Sequence, residues 1–252
     1  MTEFKTIHGV KTAYRHSGSG NDVILLHGWG QNMAMMAQIE NHLNQAFSVW
    51  NLDFPGFGES GALPEAWSVA DYREFLRDFV ETFGIQDPIL IGHSFGCRVA
   101  IRYAVQYPVH KMCLTGAAGL RSTPTNAQKL RTKAYKAAKW MLKTAHQEEA
   151  LKRLQDRAGS ADYRAAQGVL REAFVKIVND DLRPLLPEVK CPVLLVYGDQ
   201  DDATPLWMGQ VMEQEMPDAG LAVFEGDDHY AYWHQPDRFN RVLDIFLKDD
   251  RS

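Results

Sequence analysis

The chain has 252 residues, 45% of them hydrophobic and 23% charged, with a formal net charge of -5. That length buries a sizeable core as one α/β domain with an insertion, and the acidic balance argues against a nucleic-acid partner. No apolar run is long enough to span a bilayer, Met1-Thr2-Glu3-Phe4-Lys5-Thr6 lacks the apolar stretch of a signal peptide, and Cys97, Cys113 and Cys191 are too few and too scattered for a disulfide framework or a zinc site.

Taken in chain order, the elements alternate. Short apolar runs at 12–15 and 23–26 read as strands, and 33–43 reads as a helix. A strand at 48–52 is followed by a helix at 70–83, where Ser68 and Asp71 have the spacing of an N-terminal capping pair. A strand at 89–92, a helix at 97–107 stopped by Pro108, and a strand at 111–115 come next. The last elements are strands at 193–197 and 221–224, with helices at 206–216 and 237–247. Strands alternating with helices predict an α/β fold, a doubly wound, mostly parallel sheet covered on both faces. The three cysteines flank apolar runs, so they read as buried thiols of a cytoplasmic protein.

The alternation stops between 119 and 183. Leu130, Ala134, Ala137, Ala138 and Met141 share one helical face, and Tyr163, Ala166, Leu170, Phe174 and Ile177 share another. This stretch is expected to be an inserted helical lid, 119–183, over a core made of 1–118 and 184–252. It carries fourteen Lys and Arg against seven Asp and Glu, which leaves the rest of the chain strongly acidic. A solvated helix face accounts for that charge, as does attraction to anionic substrates or a negatively charged surface.

Chemistry enters at Gly92-His93-Ser94-Phe95-Gly96, between the strand at 89–92 and the helix after it. A Ser between small residues at a strand-to-helix switch is a nucleophile elbow. The tight turn pushes the hydroxyl away from the sheet, beside a helix N-terminus that favours negative charge. A Ser hydroxyl needs a base and an orienting carboxylate. Two loops after later strands offer them: Gly198-Asp199-Gln200-Asp201-Asp202 and Glu225-Gly226-Asp227-Asp228-His229. His27-Gly28-Trp29-Gly30 follows the strand at 23–26, so the backbone N–H groups of Trp29 and Phe95 are the expected oxyanion donors.

These motifs resemble the α/β-hydrolase superfamily, in its lid-bearing, esterase- and lipase-like branch. The resemblance covers essentially the whole chain. It is carried by His27-Gly28-Trp29-Gly30, Asp53-Phe54-Pro55-Gly56-Phe57-Gly58-Glu59-Ser60, the elbow, Gly198 with Asp201 and Pro205, and His229 followed by Gln235-Pro236. By the family's spacing, Asp201 is the acid rather than Asp199 or Asp202, and His229 is the base rather than His234. The resemblance implies acyl transfer through Ser94, Asp201 and His229, without metal or organic cofactor.

Around that site, His93, Met33, Trp207 and Tyr230 are candidate pocket residues, while Met35, Met36, Tyr232 and Trp233 read equally as core or wall. Asp53 reads as a turn residue and Arg98 as an ion-pair partner. The expected activity is that of a carboxylesterase on small to medium acyl esters, with a small-molecule acyl substrate as partner and a monomer or weak homodimer as the assembly. A carbon–carbon bond hydrolase of the meta-cleavage type is the alternative within the class, and a ligand-binding protein with little turnover is the alternative outside it.

Overall fold

The computed structural model describes residues 1–121, 126–145, 147–150 and 160–251. Eight strands, β1 (Glu3–Ile7), β2 (Val10–Ser17), β3 (Asp22–Leu26), β4 (Ser48–Leu52), β5 (Ile89–His93), β6 (Lys111–Thr115), β7 (Val193–Gly198) and β8 (Ala219–Phe224), form one sheet in the order β1-β2-β4-β3-β5-β6-β7-β8. β1 and β2 pair antiparallel, as do β2 and β4, and every later pair is parallel.

The central strands are apolar along their whole length because both faces are covered. Ile24, Leu26, Leu90, Met112, Leu114 and Leu195 face one core layer, and Val23, Leu25, Ile89, Ile91, Cys113 and Val196 face the other. The first layer is roofed by α2 (Val69–Phe83) through Tyr72, Phe75 and Phe79 and by α3 (Phe95–Ala104) through Val99 and Ile101. The second is roofed by α1 (Ala37–Leu43) through Ile39 and Leu43. All three cysteines are buried free thiols.

At the start of α2, Asp71 accepts from the Ser68 backbone N–H at 2.7 Å while the Ser68 hydroxyl accepts from Asp71 N–H, the reciprocal cap the spacing predicts. Other expectations need correction. The helix expected at 33–43 is a 3-10 turn, Met33–Met36, followed by α1. The polar edge strand β1 lacks an apolar run and gave no signal. Between β6 and β7 lie α4 (Asn126–Thr144), α5 (Ala161–Ala165) and α6 (Gly168–Val178). The expected single face from Tyr163 to Ile177 is thus split, because Ala166 leaves helical geometry and Gly168 takes a positive φ of 51°. On α4, Met141 is 57% exposed rather than turned inward, and the side chain of Leu130 lies outside the described residues.

Arg98 also departs from expectation. It donates to the backbone carbonyl of Asp180 at 2.8 Å, and the carboxylate of Asp180 is taken by Arg102 one turn further on. Together the two arginines tie the end of the insert to α3.

Strand order reverses at β3, with β4 on one side and β5 on the other. The carboxyl ends of β3 and β5 therefore border the crevice at which open α/β sheets bind ligands. The loop holding Trp29 leaves one of these ends, and the turn holding Ser94 leaves the other.

Candidate active site

Ser94 has φ 50° and ψ −104°, a strained conformation for a residue with a side chain. The turn is clamped around it. Its N–H donates to the Thr115 carbonyl at 3.0 Å, and its carbonyl accepts from Cys97 N–H at 3.2 Å. A Cβ at residue 92 would stand 2.8 Å from Cys97 N, and one at residue 96 would stand 2.1 Å from the Leu26 carbonyl oxygen. Both glycines are therefore steric requirements of this crossing. Phe95 opens α3, so its N–H has no partner one turn back in the helix.

The loops after β7 and β8 bring an acid and an imidazole together. Asp201 Oδ2 lies 2.7 Å from His229 Nδ1. The same oxygen accepts from the Thr204 hydroxyl at 2.7 Å, while Oδ1 accepts from Ala203 N–H at 2.8 Å and Thr204 N–H at 2.7 Å. Burial pushes the Asp201 carboxyl up, but the bonds from His229 and Thr204 outweigh it and hold the group below its ordinary range. The carboxylate is thereby kept charged, and it fixes Nδ1 of His229 as the donor, leaving Nε2 as the basic nitrogen. Asp199 instead accepts from Gly226 N–H, and His234 pairs with Asp227. His229 is brought to the elbow through β6: Gly116 follows Thr115, and a Cβ on it would come within 2.9 Å of His229 Nδ1.

The loop after β3 is organised by a neutral histidine. His27 is fully buried; its Nδ1 donates to the Gly28 carbonyl at 2.7 Å and its Nε2 accepts from Phe54 N–H at 3.0 Å. Burial lowers its pKa to about 4, against a weaker upward pull from the Gly28 carbonyl. Asp53 pins the same region by accepting from Met33 N–H at 2.6 Å and Glu59 N–H at 2.7 Å, a turn-holding role. Trp29 packs edge-on against Phe57 and Phe95, with ring centres at 4.8 and 5.5 Å, and meets Phe174 of α6 at 5.3 Å.

Of the other candidate residues, His93 is fully buried behind the elbow, its ring 4.7 Å from that of His229 and 5.3 Å from that of Tyr230. Burial, joined by repulsion from His229, holds it well below the ordinary histidine value. Met33 is buried in the 3-10 turn, and Trp207 is half-buried at the start of α7 (Trp207–Glu215). Two contributors were not anticipated. Gln31 accepts from Gly28 N–H at 3.0 Å and donates to the Tyr230 hydroxyl at 3.3 Å, joining the Trp29 loop to the His229 loop. Thr204 completes the Asp201 cage, and a hydroxyl three residues beyond the acid was its sequence signal.

Asp162 of α5 is exposed to solvent. Desolvation pushes its carboxyl up, and the charge of His229 pulls the other way. Asp227, Asp228 and His234 bring potential metal-binding atoms within 4.8 Å of one another, but Asp227 already accepts from His234, Gln235 and Asp228 N–H.

A model of the alpha/beta hydrolase family matches residues 23–242. The chain is 29% identical over 270 residues to the 2-hydroxy-6-oxononadienedioate/2-hydroxy-6-oxononatrienedioate hydrolase of Burkholderia vietnamiensis, covering 95% of this chain and 91% of that protein. Among solved structures, an esterase from Exiguobacterium antarcticum superposes with a TM-score of 0.77 at 22% identity, covering 98% of this chain and 100% of that one. A meta-cleavage product hydrolase from Pseudomonas fluorescens superposes with a TM-score of 0.75 at 21% identity, covering 98% and 97%.

Proposed function

The chain belongs to the alpha/beta hydrolase family, and on that premise we propose that it is a serine hydrolase, a carboxylesterase that cleaves small to medium acyl esters through an acyl-enzyme on Ser94. The observations that carry this reading are a strained, glycine-clamped Ser94 and an imidazole, 4.7 Å from the ring of the neighbouring His93, whose Nδ1 is committed to a buried carboxylate. His229 Nε2 takes the Ser94 proton as Oγ attacks the acyl carbonyl. The N–H groups of Trp29 and Phe95 hold the oxyanion, and His229 returns the proton to the leaving alcohol. Water, activated by His229, then releases the acid. Asp201 holds the tautomer and stabilises the imidazolium without itself taking the proton.

Ester cleavage is preferred to carbon–carbon cleavage on the apolar, aromatic character of the packing around Trp29. Phe57, Phe95 and Phe174 pack around Trp29 as an aromatic cluster beside the proposed oxyanion donors, and Asp162 adds a carboxylate within electrostatic range of His229. That environment suits a neutral acyl chain better than a dicarboxylate. The 29% identity to a dienedioate hydrolase keeps carbon–carbon cleavage as the second reading. The span 119–183 is read as the lid over this crevice.

Fluorophosphonate labelling tests the proposal. Wild type is expected to label at Ser94 and to turn over p-nitrophenyl acetate or butyrate. A folded wild type that neither labels nor hydrolyses these esters would overturn the enzyme reading. Faster turnover of vinylogous diketones than of esters would move the assignment to the second reading.

A further inference from the structure

The insert's positive charge has no part in this chemistry, and much of it sits on one helix. α4 holds Lys129, Arg131, Lys133, Lys136, Lys139 and Lys143 and no acidic residue. Its half-buried side carries Tyr135, Ala138 and Leu142, spaced as one helical face. Trp140 points away from that face and is 68% exposed, with Met141 beside it. Lys139 and Lys143, both exposed, flank Trp140 along the helix.

An indole standing in water among lysines needs an occupant that is anionic at its surface and apolar just beneath. A bilayer containing anionic phospholipid has that layering: ammonium groups reach the phosphates while Trp140 and Met141 enter at headgroup depth. Duplex nucleic acid would satisfy the lysines and leave the indole and thioether wet. A second copy would set one basic face against another. The acidic remainder of the chain turns α4 toward a negative surface during approach.

We propose that α4 is a docking surface for an anionic phospholipid bilayer. Combined with the serine-hydrolase reading, on which this clause rests, the substrates are membrane-partitioned acyl esters.

Cosedimentation of the full chain with phosphatidylcholine vesicles, with and without phosphatidylglycerol, tests it. At low salt the anionic vesicles are expected to bind at least about tenfold more protein, and roughly 0.3 M salt should remove most of that binding. Lys139→Glu with Lys143→Glu should cost about tenfold in vesicle binding, and Trp140→Ser should weaken it separately, with soluble-ester turnover unchanged. The proposal fails if wild type ignores anionic vesicles at low salt, binds neutral ones equally, or is unaffected by these substitutions. It also fails if duplex DNA is bound more tightly than vesicles, or if the α4 variants dissociate a homodimer in sedimentation equilibrium. Normal fluorophosphonate labelling without vesicle binding sinks the docking surface alone. Vesicle binding without labelling sinks the enzyme reading alone.

Discussion

The indole of Trp29 meets the phenyl ring of Phe95 edge-on, with ring centres 5.5 Å apart and planes 87° apart. These residues carry the two N–H groups proposed for the oxyanion, and their side chains brace the loops that aim them. Phe95→Leu keeps both N–H groups but removes the brace. We expect kcat for p-nitrophenyl acetate to fall by about tenfold, less than the 10²–10³ typical of losing a donor outright, with KM nearly unchanged. An unaltered kcat in a folded Phe95→Leu would show that the rings serve only packing.

Ser94→Ala should abolish turnover and labelling while the chain stays folded. Ser94→Gly adds a thermodynamic check. At a φ of 50° the side chain is strained, and glycine relieves a cost of about 1–3 kcal/mol against its own entropic penalty of about 0.5–1 kcal/mol. Ser94→Gly should therefore melt above Ser94→Ala. The opposite order in calorimetry would mean that the elbow stores no strain.

Asp201→Asn should lower kcat by about 10⁴ by misdirecting the imidazole, and Asp199→Asn or Asp202→Asn by far less. Thr204→Val removes one donor to the carboxylate and should raise the pKa of Asp201 toward its ordinary value. The folded carboxylate is depressed, so its contribution to stability is present above the unfolded value near 4 and is lost as pH falls through the lower folded value. Thr204→Val should shift that acid loss to higher pH in a melting-temperature series. Equal losses of kcat across the three Asn variants would leave Asp201 without a special role.

Two histidines make the fold sensitive to mild acid. His27 folds as a neutral ring with a pKa of about 4, and protonating Nε2 would break its bond from Phe54 N–H. Unfolded, it takes a proton near 6.5, so between these values the unfolded state binds more protons and stability falls as pH falls. The cost across that window is roughly 3 kcal/mol for His27, and His93 acts in the same direction. His27→Gln should flatten the pH dependence of the denaturation midpoint between about 4 and 6.5. An unchanged slope would assign the acid sensitivity elsewhere.

Legibility followed burial. The inner strands could be read because two-sided burial leaves uninterrupted apolar runs such as Val23-Ile24-Leu25-Leu26. β1 was missed because its residues through Thr6 are exposed. In the site, Ser94 was visible because a tight turn demands glycines at fixed offsets. Gln31 was not, because its bond to Tyr230 crosses 199 residues and leaves no local pattern. The aromatic cluster of Trp29, Phe57, Phe95 and Phe174 is brought together only by tertiary packing.

The adjacency of β3 and β5 has a kinetic consequence. Val23 aligns with Ile89 in a parallel pair, yet β4 and α2 lie between these strands in the chain. Pairings across such long loops close slowly and late. The crevice therefore comes into being only when the sheet has zipped across its centre. Reactivity of Ser94 toward a fluorophosphonate during refolding would serve as a clock for that closing event, lagging the appearance of helical circular dichroism.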